Sequence, residues 1–299
     1  VLKRLSQESY DIGYENDTLY ANIWPPAGVY DAFQPTFTSF FVSAYKAEVA
    51  ILQALSIGLG LPPQTLPQLH IEKANELRLT HYPTVSRKEF SRSTRIAAHT
   101  DFGTITLLFQ DCVGGLQMEF PRGSGKFVDV ESGGPHECIL NVGDCLEKWT
   151  GLPSARHRVH LPERLQCDDD QKGDAMVDER FSIAYFAKPD RAASLRPLLE
   201  GLGQSAEEVY MTAGEFQHMR ISQTPQRSIR KQSPHKPKHK ASSSQQEWKT
   251  KVEAIIPSNG NCKTAIEYQC TNSGSDSISD RDHGVYRPRA AAGGKEQKS

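Results

Sequence analysis

With 299 residues, 37% of them hydrophobic, and a mean hydropathy of −0.55, the chain is poorer in apolar side chains than one packed core of that length calls for. Its formal charge of −1 excludes a wholesale polyanion binder but averages two unlike parts: residues 226–299 carry 14 Lys+Arg against 7 Asp+Glu, and the first 225 carry 21 against 29. An acidic globular body with a basic tail is expected. The most apolar run, Val49 to Leu61, contains Gln53 and Ser56 and is too short to span a bilayer, so no transmembrane helix or membrane partner is expected. Six cysteines form neither a dense disulfide framework nor a C-x-x-C pattern, which fits a reducing, cytoplasmic setting. The chain opens on Val1 without a signal-like segment, and its true start is expected to lie upstream.

Residues 1 to about 34 are turn-rich, with Asp17, Pro25, Pro26 and Gly28 breaking any period, and read as an extended covering segment. From Gln34 the apolar positions Phe37, Phe40, Phe41, Ala44, Ala47, Ile51, Leu52 and Leu55 recur at helical spacing until Gly58 and Gly60 stop them. A short helical stretch is expected from Thr65 to Asn75. The period then changes to two through Leu77 to Tyr82, Arg95 to Asp101, Thr104 to Gln110, Gly115 to Phe120, Glu137 to Val142, Leu146 to Trp149, Arg156 to His160 and Arg180 to Phe186. Eight short strands separated by turns predict a closed or sandwiched antiparallel sheet. Cys167 to Glu179 reads as a polar outer loop, and a helix from Ala206 to about Ile221 closes the body. Beyond Gln226 the chain is too polar and low in complexity to offset its conformational entropy, and disorder is expected apart from a short helix at Trp248 to Ile256.

His99-Thr100-Asp101 lies on a predicted strand, where the two-residue period puts His99 and Asp101 on one face. His157, 58 residues on, is far enough along the chain to approach them from another strand. Two imidazoles and one carboxylate are the facial set that holds non-haem Fe(II) with positions left open. An independent feature is Arg180-Phe181-Ser182, where alternation pairs a guanidinium with a hydroxyl one pleat away, a combination suited to a carboxylate. On Leu77 to Tyr82 the parity sets Arg78, Thr80 and Tyr82 against Leu77, Leu79 and His81, and either face could be the buried one.

These segments carry a family resemblance. L-R-L-T-H-Y-P, A-H-T-D-F-G-T-I-T-L-L-F-Q-D, G-G-L-Q, I-L-N-V-G-D, R-H-R-V and R-F-S-I-A-Y-F occur in order between Leu77 and Pro197. Together they resemble the iron(II)/2-oxoglutarate-dependent dioxygenases of the isopenicillin N synthase-like superfamily, with looser similarity over roughly residues 5 to 222. The resemblance implies a mainly β fold with flanking helices, a double-stranded β-helix (jelly-roll) barrel. It divides the chain into a pre-barrel region at 1–76, a catalytic core with its closing helix at 77–225, and the tail at 226–299. It implies His99, Asp101 and His157 as iron ligands, and Arg180 and Ser182, assisted by Tyr82, as the clamp for the distal carboxylate of 2-oxoglutarate. It places Arg78 and Phe102 at the substrate pocket. His160, the rival to His157, has the wrong strand parity and lacks a following Arg-Val. Fe(II), 2-oxoglutarate and O2 are the implied cofactors and cosubstrates. A small organic molecule would be hydroxylated, desaturated or rearranged in its rings as 2-oxoglutarate becomes succinate and CO2, in secondary metabolism or nutrient salvage.

Two departures stand out. The family carries a further segment ahead of the point where Val1 falls, so the domain is expected to be incomplete at its amino end or open on one side. The 23 residues from His157 to Arg180 exceed the family's usual spacing through the acidic insertion Gln166 to Glu179, which a loop absorbs at small entropic cost. The alternatives are an Fe(II) oxidase that does without 2-oxoglutarate and a catalytically defective barrel that only binds a ligand. For the tail, Arg230-Lys231 and Lys236 to Lys240 invite a nucleic-acid partner, but a solvated extension is the preferred reading. His235 and His239 lack acidic or thiol neighbours and are not taken as metal ligands.

Overall fold

The structure, a computed structural model, describes residues 3–4, 7–131, 134, 136–165, 175–199 and 209–223. The tail, its expected short helix and most of the acidic insertion lie outside the described residues. Nine strands build two antiparallel sheets: β1 (Glu8–Gly13), β2 (Glu76–Tyr82), β3 (Ile96–His99), β4 (Ile105–Gln110), β5 (Leu116–Glu119), β6 (Phe127–Asp129), β7 (Ile139–Val142), β8 (His157–Val159) and β9 (Arg180–Ala187). The larger sheet has the order β7-β4-β9-β2-β1, and the smaller has the order β3-β8-β5-β6. Strands distant in sequence are neighbours in space, which is the jelly-roll arrangement expected.

Alternation on β9 decides which side chains face the site. Ile183, Tyr185 and Ala187 join Leu77 and Leu79 of β2, Ile105 and Leu107 of β4, and Ile12 of β1 in one buried cluster. Helix α1 (Phe33–Gly58) covers that face with Phe37, Phe41, Ala44 and Leu52. Each large apolar side chain so buried contributes about 1.5–3 kcal/mol. The other face of β9 carries Arg180, Ser182 and Ala184 towards the smaller sheet. Register sets Arg180 opposite Tyr82 and Ser182 between Thr80 and Gln110. Both faces of Leu77 to Tyr82 are therefore covered, which is why parity alone left the choice open.

By length and composition alone α1 is long and apolar enough to cross a membrane, unlike the shorter run considered in the sequence. Its packing on the sheet accounts for its apolar stripe, and it ends where Gly60 takes a φ of 74°.

Four sequence expectations are corrected. Leu146 to Trp149 is no strand; after the short helix α2 (Arg87–Ser91), it belongs to helix α3 (Asp144–Thr150), whose first turn holds Asp144 and Glu147 and which stops at Gly151 with φ 73°. Cys145, Leu146 and Trp149 are buried at helical spacing that a four-residue window cannot distinguish from alternation. Residues 8–13 are not a loose cover but the edge strand of the larger sheet, paired along all six residues with β2. Within Thr65 to Asn75 only Pro67–Leu69 form a single 3-10 turn. The closing helix, α4, spans Ala213–Gln223 and starts later than expected, capped by Thr212, whose hydroxyl accepts from the Glu215 amide at 3.2 Å.

Candidate active site

His99 ends β3 and His157 opens β8, and the antiparallel register places them directly opposite each other, ring centroids 4.4 Å apart. Asp101, two residues past His99, brings Oδ1 to 3.6 Å from His99 Nε2 and 3.9 Å from His157 Nε2. One donor atom from each residue lies within 4.8 Å of the other two, and among the described residues no other His/Cys/Asp/Glu group is so arranged. Each imidazole Nδ1 is 2.9 Å from the carbonyl two residues earlier, Ala97 for His99 and Ala155 for His157. Donation of Nδ1–H to those carbonyls leaves both Nε2 lone pairs for a metal.

Asp101 is oriented just as fully. Its Oδ2 accepts from the Thr106 hydroxyl at 2.7 Å and the Asn141 amide at 2.9 Å, leaving Oδ1 to turn toward the imidazoles. Burial pushes the carboxyl up, but the two imidazoles and these two donors outweigh it and hold the group below the ordinary carboxylate range. Thr106 and Asn141 are opposed across β4 and β7, so the register of two strands supplies both bonds.

The ligand loop is braced from behind. The Asp144 and Cys145 amides at the start of α3 donate to the Asp101 and Gly103 carbonyls at 2.8 and 2.9 Å. Gly103 and Gly143 allow this approach: a Cβ on the first would lie 2.4 Å from the Ala187 carbonyl oxygen, and on the second 2.4 Å from that of Gly103. From α4, Arg220 pairs with Asp144, donates to the Thr100 hydroxyl at 3.2 Å and lies 4.6 Å from the Phe102 ring centroid. Phe102 is thus half-buried beside the triad and packed under the closing helix.

Arg180 reaches the barrel interior despite the long insertion ahead of it, and it is 1% exposed. It donates to Gln110 Oε1 at 2.6 Å and to the Ser182 hydroxyl at 3.4 Å, and lies 5.2 Å from the Tyr82 ring centroid. Its Nε and the Gln110 Nε2 are buried without a partner. Among the described residues no carboxylate is within ion-pair distance of this guanidinium. A buried cation with unused donors fits a carboxylate brought by a ligand, such as the distal group of 2-oxoglutarate. The predicted clamp residues Arg180, Ser182 and Tyr82 are therefore together.

Arg95, which the sequence marks only as a strand start, is a second such cation near Tyr82. It too is 1% exposed, and burial, then repulsion from Arg180, lowers its pKa to about 10. Arg78 is engaged by Asp11 through Nε at 2.6 Å and Nη2 at 2.9 Å, and by Glu76 at 2.8 Å, with the Phe186 ring 5.7 Å away. Lys188 pairs with the same Glu76 at 2.6 Å. His160 lies outside the triad and packs edge-on against Phe90.

The 2OG-Fe(II) oxygenase superfamily profile matches residues 74–189, which contain all three triad residues, Arg180, Ser182 and Tyr82. The proline hydroxylase buaE of Petromyces alliaceus is 42% identical over 224 residues, 73% of this chain and 68% of the relative. The chain belongs to the 2OG-Fe(II) oxygenase superfamily. The 2-oxoglutarate-dependent dioxygenase htyE of Aspergillus rugulosus is 39% identical, over 73% of this chain and 67% of its own length. A full-length Neurospora crassa protein crystallised with alpha-KG and thymine superposes with a TM-score of 0.64 at 29% identity, covering 74% of this chain and 66% of that one. This oxygenase thus spans about two thirds of the length of the relatives it matches. Its cofactors are Fe(II), 2-oxoglutarate and O2, and the donor set described above is chemically suited to the first two.

Proposed function

We propose that His99, Asp101 and His157 hold Fe(II), that Arg180 and Ser182 with Tyr82 hold the distal carboxylate of 2-oxoglutarate, and that the chain thereby oxidises a small polar molecule. When bound, iron with 2-oxoglutarate and dioxygen supplies the oxidising power, 2-oxoglutarate leaving as succinate and CO2. The observation that carries the reading is the pairing of a pre-oriented triad with a buried guanidinium that has no carboxylate at ion-pair distance among the described residues. The chain's own part is positional. The Ala97 and Ala155 carbonyls fix the imidazoles, Thr106 and Asn141 fix Asp101, and the surrounding walls keep water from the clamp.

The substrate is a small molecule with both polar and flat or cyclic character. Arg78, with its Asp11 and Glu76 partners, and Phe186 share the sheet face of Arg180 and Ser182, and Phe102 follows the ligand Asp101. The proline hydroxylase among the relatives and the thymine-bound Neurospora structure both concern small polar rings, which agrees with this choice. A role in cytoplasmic secondary metabolism, without membrane or nucleic-acid partners, is the setting we favour. In the same reading, residues 1–76 precede and support the catalytic core at 77–225.

The test is succinate release by the purified chain with Fe(II), ascorbate and a panel of amino acids, nucleobases and cyclic metabolites. Succinate formation above a His99→Ala control is expected with at least one panel member. Failure throughout the panel, with 2-oxoglutarate binding intact, would leave a ligand-binding barrel.

A further inference from the structure

We infer that Arg95 is a positioning residue for the cosubstrate clamp, a second buried cation that makes this end of the barrel selective for a dicarboxylate. The inference rests on Arg180 being the clamp.

Arg95 has two kinds of contact, and both lead to the clamp. Its Nη2 donates to the Asp178 carbonyl at 2.8 Å and the Pro83 carbonyl at 3.4 Å. Pro83 follows Tyr82, and Asp178 lies two residues before Arg180, so one guanidinium ties the end of β2 to the entry of β9. Its other contacts are aromatic: the guanidinium carbon is 4.9 Å from the Phe90 ring centroid and 5.5 Å from that of Tyr82. Arg180 lies 5.2 Å from the same Tyr82 ring. Two cations thus share one aromatic neighbour, each 1% exposed and each with Nε unpartnered. Among the described residues neither has a carboxylate at ion-pair distance.

Packing alone does not call for this arrangement. A methionine would fill the slot between Phe90 and Tyr82 without a buried charge, and two like charges at short range in a poorly solvated interior repel. Carbonyl acceptors and the more distant Asp111 carboxylate offset part of Arg95's desolvation, but neither forms an ion pair with it. The remaining positive potential is directed at whatever anion Arg180 receives. It strengthens the hold on a carboxylate there and has no purchase on a ligand that lacks one. Arg95 does not touch that anion. It acts through Tyr82, through the backbone of both clamp strands, and through its charge.

The experiment is an anaerobic titration of the Fe(II)-loaded full chain, followed by the visible charge-transfer band that a chelated 2-oxo acid produces. Two probes are compared: 2-oxoglutarate, and 2-oxopentanoate, which has a methyl group in place of the distal carboxylate. Arg95→Gln, which keeps donors for the carbonyls, and Arg95→Met, which keeps volume, are each expected to raise the Kd for 2-oxoglutarate about tenfold and that for 2-oxopentanoate less than twofold. Arg95→Lys, which keeps the charge, is expected to stay within about threefold of wild type for both. Either neutral variant suffices if the other does not fold. Equal losses for the two probes would reduce Arg95 to a structural residue and overturn the inference, as would neutral variants that bind 2-oxoglutarate within twofold of wild type. Arg180→Met separates the clamp itself from the role of Arg95. If it keeps full 2-oxoglutarate affinity, the clamp itself is wrong and this inference falls with it; if it loses affinity while the Arg95 variants do not, only the role of Arg95 falls.

Discussion

Asp101 and Arg180 are both buried charged groups facing the interior of one barrel, yet the protein surrounds them in opposite ways. Asp101 has its outer oxygen engaged by Thr106 and Asn141 and its neighbours His99 and His157 locked by backbone carbonyls. Arg180 has a side-chain amide, a hydroxyl and an aromatic ring, one orphan nitrogen, and no carboxylate among the described residues. One region is complete in itself except for an ion of fixed geometry. The other holds its electrostatic demand until a ligand meets it. Such an asymmetry suits a resident metal at one end and a consumed, exchangeable cosubstrate at the other.

The contrast between the two charged groups is largest at the triad. His99→Ala, at a partly exposed ring, and Asp101→Asn, which keeps an acceptor for Thr106 and Asn141, should abolish Fe(II) binding and succinate formation together while melting temperature stays near wild type. Retained iron stoichiometry in either variant would remove the metal assignment. At the other end, Arg180→Met should leave Fe(II) affinity unchanged and weaken 2-oxoglutarate by about 2–5 kcal/mol, the usual loss when one partner of a buried charge pair is removed. An Fe(II) oxidase that uses no 2-oxoglutarate would instead turn over normally in this variant. Next in size, Asn141→Ala and Thr106→Val should each lower Fe(II) affinity roughly 10- to 100-fold, measured by competition with a chelator, with little change in 2-oxoglutarate affinity at saturating metal. A change in the cosubstrate alone would mean that the two ends are not independent.

How much of this was legible beforehand follows from what each feature depends on. That His99 and Asp101 share a face, and Arg180 and Ser182 likewise, is legible because strand parity is local, whereas the approach of His157 is suggested only by the order of the motifs. Thr106 and Asn141 were not legible, because their bond to Asp101 arises only when β4 and β7 pair in register. Arg95 looked like an ordinary first residue of a strand, since nothing nearby in sequence says that Tyr82 and Phe90 will enclose it. The misread segment Leu146 to Trp149 did carry its correction, in the acidic first turn and in Gly151, but its apolar residues fit either period. The edge strand at Glu8 to Gly13 was missed for the opposite reason: only Ile12 is fully buried there, so its alternation is weak.

The last effect concerns a third buried ionisable group, which has neither a charged complement nor a ligand. Glu48 of α1 is wholly buried, accepts from Asn75 Nδ2 and the Tyr185 hydroxyl at 2.7 Å each, and leaves Oε1 unpartnered. Burial outweighs those two bonds and raises its pKa from 4.5 to about 8, so the folded protein keeps a proton that the unfolded chain releases. Raising the pH from about 5 to 8 therefore favours unfolding, by at most about 1.4 kcal/mol per pH unit; the stabilisation is full below the unfolded pKa and gone above the folded one. Glu48→Gln removes the titration but keeps the shape. Its melting temperature should vary less than wild type between pH 5 and 9 and exceed it at pH 9, as read by circular dichroism. Parallel slopes for the two proteins would show that Glu48 is ionised in the fold, and that this oxygenase tolerates a buried carboxylate held only by the Asn75 amide and the Tyr185 hydroxyl.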